Sequence, residues 1–415
     1  MGKRVLSWIL TIILGWSLWL GWAMPSYALT DEQRLLNEVW RLINRTYLDG
    51  TFNHQDWSWV RQRYFPKASD DRAQTYQAIQ QMLATLGDPF TRFLPPEQYR
   101  SLQTSTSGEL TGVGLQIALD DATQQLVVIA PIAGSPADRA GIHPADQIIE
   151  IDGISTAHLS LDEAAARMRG AVGSRVELTI VRDGKQQRFS LVRDRIELNP
   201  VVAELHTVPS PNKPNQVENI GYIRLSQFNA NATVELAKAI KQLEGKGAKG
   251  YILDLRNNPG GLLQAGIEIA RLWLDQGTIV YTVNRQGVQD SFEATGEALT
   301  DDPLIVLVNQ GTASASEILA GALQDNNRAQ LVGERTFGKG LIQSLFELSD
   351  GSGLAVTVAK YETPSHHDIH RQGIQPDYVV ALEPLAIEQI GTAADSQYQL
   401  AENLLISQVV LTGAT

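Results

Sequence analysis

The sequence predicts an α/β fold: a mainly parallel sheet of strand-turn-helix units, with a small inserted α+β unit and an N-terminal helical domain. Three observations predict it. Apolar residues recur at helical spacing before about residue 103, short strands with turn signals follow to about residue 195, and strands alternate with helices from Asn219 onward.

At 415 residues the chain exceeds what one hydrophobic core supports, so two or three domains are expected. The formal net charge is −12 and no basic run interrupts it, which gives neither nucleic acid nor an anionic membrane an electrostatic partner. Without cysteine there are no disulfides, no thiol catalysis and no cysteine-ligated metal. Lys3 and Arg4 precede an apolar stretch from Val5 to Ala23, and Ser26 and Ala28 supply small residues for cleavage after Ala28. Residues 1–28 therefore read as a signal peptide for Sec-type export, long enough in its apolar part to serve instead as a membrane anchor.

Behind Thr30 and Gln33, a capping-box pair, Leu36, Val39, Trp40, Ile43 and Tyr47 mark an amphipathic helix. A second runs from Thr75 to Leu86 and stops at Gly87 with Pro89 beyond. Residues 29–103 are thus a helical domain. In 104–195 strands are expected at 112–117, 126–130, 147–151, 176–182 and 186–192, with helices at 135–140 and 161–169 and a hairpin across Asp183-Gly184. In 196–415 strands at 220–225, 251–255, 279–283 and 304–308 alternate with helices at 234–243, 263–274 and 314–324. A hairpin at 341–361 and a last helix at 396–408 follow, and Pro209–Pro214 is the one linker-like tract.

Two strand-turn-helix junctions carry candidate chemistry: Asp254–Gly261 and Val308–Glu317. In a parallel sheet both lie beyond the carboxyl ends of strands, where ligands collect. Ser314 at a helix start is beside free backbone N–H groups, so Ala315 with either Gly260 or Gly261 can form an oxyanion hole; the alternative is a plain helix cap. None of the seven histidines stands in a triad signature, which directs attention to Lys339, 25 residues after Ser314 and flanked by glycines. A lysine desolvated by the apolar strand behind it can be neutral and take a serine proton. Gln343, on the same side of that strand, can fix the lysine rotamer. Glu317, one turn beyond Ser314, either orients the site or caps the helix. Gly333–Lys339 matches the start of a phosphate-binding loop, but Gly340 replaces the magnesium-binding hydroxyl and a strand follows, so no nucleotide is expected. His366-His367-Asp368-Ile369-His370 lacks a defined fourth ligand and reads as a polar loop, so no metal is expected.

Gly311-Thr312-Ala313-Ser314-Ala315-Ser316-Glu317 together with Thr336-Phe337-Gly338-Lys339-Gly340 resembles the signature of the carboxyl-terminal processing proteases, or tail-specific proteases. The resemblance implies a Ser314/Lys339 dyad completed by Gln343, an oxyanion-side loop at Asn258-Pro259-Gly260-Gly261, and no cofactor. It further implies that the inserted unit is a PDZ domain whose loop Gly112-Val113-Gly114-Leu115 captures a substrate C-terminus. Met82–Leu86, Asp88–Leu94 and Leu110–Gly114 resemble the photosynthetic members, which trim the photosystem II D1 precursor in the thylakoid lumen. Implied partners are a protein tail such as that precursor, with membrane proximity through substrate or an uncleaved leader; a periplasmic location is the alternative. His366-His367-Asp368 departs from the Gly-bearing turn of many relatives, beside the expected substrate groove. The rival readings are a catalytically silent PDZ-type binding module, distinguished by loss of Ser314 or Lys339, and a processing protease of other envelope proteins.

Overall fold

The computed structural model describes residues 29–68, 71–120, 123–210, 217–287, 289–381 and 385–412; the leader expected at 1–28 and most of the linker tract lie outside them. The chain forms two compact units, the residues up to Pro95 with Leu345–Val356, and Pro96–Ser344 with Thr357–Thr415.

In the first unit α1 (Asp31–Thr46) starts at the expected capping box, with Gln33 N–H donating to Thr30 Oγ1 at 3.2 Å and the Gln33 side chain accepting from Thr30 N–H at 3.3 Å. Its buried stripe of Leu35, Leu36, Val39 and Ile43 is accompanied by α2 (Trp57–Tyr64) and α3 (Arg72–Ala84). Arg92–Leu94 forms β1, paired with residues 353–355.

The second unit opens with α4 (Pro96–Ser107) and β2 (Glu109–Gly112). The strand expected at 112–117 is broken: β2 ends at Gly112 and β3 (Leu115–Leu119) begins after a turn in which Gly114 has φ +78°. Only glycine fits there, since a Cβ would stand 2.3 Å from Ser135 Cβ. Then come β4 (Leu126–Pro131), α5 (Pro136–Arg139), β5 (Gln147–Ile151), β6 (Ile154–Ser155), α6 (Leu161–Met168), β7 (Arg175–Arg182) and β8 (Lys185–Val192). They make an antiparallel sheet ordered β3-β4-β5-β7-β8 around Val113, Ile148, Ile151, Leu178 and Ile180. Return is through β9 (Asp194–Glu197), which pairs with β2, so entry and exit form one two-stranded ribbon.

A second six-stranded sheet, mainly parallel, is built from β10 (Val201–Pro209), β11 (Val217–Leu225), α7 (Ala232–Gly245), β12 (Tyr251–Asp254) and α8 (Leu263–Arg271). After them β13 (Thr278–Asn284) and β14 (Gln289–Glu293) pair outside it, and β15 (Leu304–Val308), α9 (Ala315–Asp325) and β16 (Gln330–Gly333) continue it. The hairpin strands β17 (Leu341–Glu347) and β18 (Gly353–Glu362), then β19 (Tyr378–Val379) and α10 (Ser396–Thr412), complete the chain. The order is β10-β11-β12-β15-β16-β19, parallel except for the β10–β11 pair.

β12 and β15 are apolar almost throughout because both faces of this sheet are covered. Tyr251, Leu253, Leu304, Val306 and Val308 face the cluster holding α7, α8 and α9, while Ile252, Ile305 and Leu307 face Tyr398, Ala401 and Leu405 of α10. Each fully buried Leu or Ile contributes about 1.5–3 kcal/mol relative to exposure. β12 and β15 are neighbours, so the turns following them open side by side.

Candidate active site

The two turns are stapled by side chains that the sequence places between strand and helix. Asn257 N–H donates to Asn309 Oδ1 at 2.9 Å and Asn309 Nδ2 returns a bond to Asn257 Oδ1 at 3.0 Å. Thr312 Oγ1 donates to Leu255 O at 2.9 Å, and Ser316 Oγ to Asn258 O at 3.0 Å. Ser316, the second serine of the motif, is buried in this bond.

Ser314 stands at the start of α9 with φ +60° and ψ −118°, a conformation that costs a non-glycine residue about 1–3 kcal/mol and persists only where the surroundings impose it. They do so at both ends of the residue. Its N–H donates to Glu317 Oε2 at 2.8 Å, and its carbonyl accepts from Glu317 N–H at 2.8 Å and Ile318 N–H at 3.0 Å.

Glu317 both caps α9 and organises the site. Its fully buried carboxylate accepts Thr336 Oγ1 at 2.6 Å and Gly338 N–H at 2.7 Å on Oε1, and Ser314 N–H and Lys339 N–H, at 2.8 and 2.9 Å, on Oε2. Buried charge is tolerated when its lone pairs are filled, and the N-terminus of α9 adds a favourable dipole. One oxygen therefore joins the backbone of the residue expected as nucleophile to that of the residue expected as base. The third turn is held further by Phe337 N–H on Thr312 O at 3.0 Å and by Ile374 N–H on Thr336 Oγ1 at 2.7 Å. β17, not a helix, follows Lys339.

Gly260 and Gly261 lie against this turn. Gly260 has φ +90°, and a Cβ there would meet Ala313 O at 2.6 Å and Ala315 N at 2.8 Å. Its N–H donates to Asn258 Oδ1 at 2.9 Å. The N–H groups of Gly261 and Ala315 have no acceptor among the described residues. Gln343 lies half-buried on β17, and its Nε2 is buried with no partner among the described residues, a feature native interiors rarely keep without a use.

Gly112–Leu115 runs from the end of β2 to the start of β3, at the entry to the antiparallel sheet. The carbonyls of Val113 and Gly114 are taken by Ala137 N–H at 2.9 Å and Ile132 N–H at 2.9 Å, whereas the N–H groups of Val113 and Gly114 have no acceptor among the described residues. They border a groove of about 60 Å³ lined with Leu115, Ile117, Ala165 and Met168. His366 stacks on Tyr281 with ring centroids 4.3 Å apart and reaches Glu362 Oε2 at 3.2 Å.

Sequence reasoning missed Tyr361 of β18, whose hydroxyl reaches both Ser314 O and Lys339 O. It also missed the buried set behind the Asp254–Gly261 turn. There Arg256 holds Asp254 Oδ2 at 2.6 Å and Asp395 Oδ2 at 2.7 Å, Gln397 Oε1 accepts from its Nη1 at 3.1 Å, and Tyr222 Oη donates to Asp254 at 2.7 Å.

Residues 219–380 match peptidase family S41 and residues 127–182 match the PDZ domain. A carboxyl-terminal-processing protease of Synechocystis sp. is 60% identical over 99% of this chain and 96% of its own length. Carboxyl-terminal-processing peptidase 2, chloroplastic, of Arabidopsis thaliana is 50% identical over 85% of this chain and 70% of its own. Among solved structures, a photosystem II D1 C-terminal processing protease is 41% identical, covering 88% of this chain and 99% of that one with a TM-score of 0.57. A strand-turn-helix core of this sequence, a PDZ domain inserted ahead of it and identity of this extent over nearly the whole length lead to one conclusion: the chain belongs to the carboxyl-terminal-processing proteases, serine-type peptidases of family S41.

Proposed function

We propose that Ser314 is the nucleophile and Lys339 the general base of an endopeptidase that cuts proteins near their C-terminus. The observation that carries this reading is the shared Glu317 Oε2, which binds the N–H groups of both residues and so keeps their turns in one register. Ser314 attacks the scissile carbonyl; Lys339, neutral at that moment, takes the hydroxyl proton and returns it to the leaving amine. The N–H groups of Ala315 and Gly261 receive the oxyanion, since that of Gly260 is committed to Asn258. Gln343 Nε2, a buried donor with no acceptor among the described residues, is assigned to the same site.

Gly260 contributes by having no side chain. Gly260→Ala is expected to lower kcat by about 100-fold or more, because the new methyl pushes on the Ala315 N–H and a lost oxyanion donor alone costs about 10²–10³. Steady-state rates with the folded state checked by circular dichroism decide it.

The Val113 and Gly114 N–H groups bind the terminal carboxylate of the substrate, and the groove beside Met168 takes a small apolar side chain. We assign residues 1–28 to a leader, 29–103 to a helical domain, 104–195 to the PDZ domain and 196–415 to the catalytic core. The solved relative that processes D1 supports the photosystem II D1 precursor as substrate and the thylakoid lumen as location, with the periplasm as the other exported compartment. Incubating the protein with a D1 C-terminal segment and with an unrelated protein bearing an apolar extension, and reading products by mass spectrometry, tests this. One cut near the C-terminus is expected, faster on D1. Cuts scattered along the chain would sink the processing role, and equal rates would remove D1 as the preferred substrate.

A further inference from the structure

The Glu317 carboxylate holds the candidate dyad by its N–H groups, and the Ser314 carbonyl already takes the N–H groups of Glu317 and Ile318; one further contact joins that carbonyl to the carbonyl of Lys339. Tyr361 supplies it. Its ring is buried in the core cluster of α8 and α9, and its hydroxyl reaches Lys339 O and, at 3.2 Å, Ser314 O. Its own N–H donates to Gly340 O at 3.1 Å, so β18 grips the Lys339–Gly340 stretch twice. Ser314 and Lys339 are thus held from both sides, by a carboxylate on their N–H groups and by a phenol on their carbonyls.

We propose that Tyr361 is a positioning residue of the reaction: its hydroxyl fixes the Ser314 turn and the Lys339 turn to each other so that base and nucleophile meet. This rests on the reading of Ser314 and Lys339 as the dyad. At 1% exposure Tyr361 cannot touch substrate, so its effect passes through the two carbonyls. Burial, and after it the Glu317 carboxylate, holds its phenol well above the usual tyrosine range, so it remains a proton donor and is no rival base. The Glu317 carboxylate reaches Lys339 at its N–H, and the Tyr361 hydroxyl is what ties the Lys339 carbonyl to the start of α9. A displacement of about 1 Å between reacting groups costs on the order of 100-fold in rate.

Tyr361→Phe removes the hydroxyl and keeps the ring. The expected result is a kcat lowered about 10- to 100-fold with KM within twofold, a thermal midpoint within a few degrees of the parent, and a proton inventory or pH profile of kcat altered in its ascending limb. Ser314→Ala is measured alongside. If Ser314→Ala is inactive and Tyr361→Phe keeps kcat within twofold, the positioning role is wrong while the dyad stands. A rise in KM with kcat unchanged, or a loss of activity that only tracks loss of folded protein, overturns it as well. If Ser314→Ala still cleaves, the dyad reading fails first and takes this proposal with it. Tyr361→Leu, which removes the ring too, is expected to lower the thermal midpoint clearly and marks what a purely structural loss looks like.

Discussion

Ser314→Ala and Lys339→Met are each expected to lower kcat by about 10⁴-fold or more, with KM changed by no more than a few-fold, and the double variant is expected to be no slower than the worse of the two within about tenfold. The reason for the non-additivity is that attack and proton transfer are one event: without the hydroxyl there is nothing for the amine to deprotonate, and without the amine the hydroxyl stays a poor nucleophile. KM is spared because neither side chain is assigned to hold the substrate tail, a task given to the Val113–Gly114 loop and its groove in the other sheet. Initial rates on a protein with an apolar C-terminal extension, followed by mass spectrometry, give both constants. Independent losses that multiply in the double variant would mean that the two residues serve separate steps. Cleavage at the same bond by Ser314→Ala would remove the nucleophile assignment outright.

The apolar runs of β12 and β15 made the parallel sheet legible, because a strand covered on both faces has no polar positions to disguise it. α4 was illegible for the opposite reason: of Pro96–Ser107 only Tyr99 is buried, so no apolar stripe marks the helix. β10, with six exposed or half-exposed residues between buried Val201 and Val208, likewise gave little pattern, and its pairing with β11 is a matter of tertiary context. The loop Gly112–Leu115 was visible as a motif, but the interruption of the strand depends on Ser135 crowding Gly114 from another element.

At the site the two glycine-bearing motifs are local in sequence and could be read. Glu317 was ambiguous, since capping spacing and an orienting role predict the same residue at the same place; its bonds to Gly338 and Lys339 exist only once the third turn folds over α9. Tyr361 had no signal beyond an aromatic at a buried strand position, 47 residues from Ser314. Which glycine N–H is free could not be read either, because Gly260 is occupied by an asparagine two residues before it in a turn whose shape the sequence leaves open.

The buried set behind the Asp254–Gly261 turn carries the largest expected effect on stability. Arg256→Met is expected to cost about 3–5 kcal/mol, because it leaves Asp254 and Asp395, both with no exposed surface, facing one another without a cation. Asp395→Asn should cost less, since Arg256 keeps two bonds to Asp254. The pH dependence follows from Asp395. Burial by itself raises its pKa, but hydrogen bonds and charge from Arg256, with the N–H groups of Gly391 and Tyr398, outweigh burial and hold it below the usual carboxylate value of about 4. A carboxyl depressed in the folded state contributes stability above its unfolded pKa and loses it as pH falls through the folded one. In Arg256→Met the lowering by the cation is lost while burial and the Gly391 and Tyr398 N–H groups remain, so the Asp395 carboxyl moves up from its place in the parent and this contribution to the loss of stability at low pH shrinks. Urea midpoints of parent and variant should therefore lie far apart at neutral pH and draw together toward pH ~3. A gap independent of pH would mean that packing of the Arg256 side chain, and not its charge, joins α10 to the turn that presents Gly261.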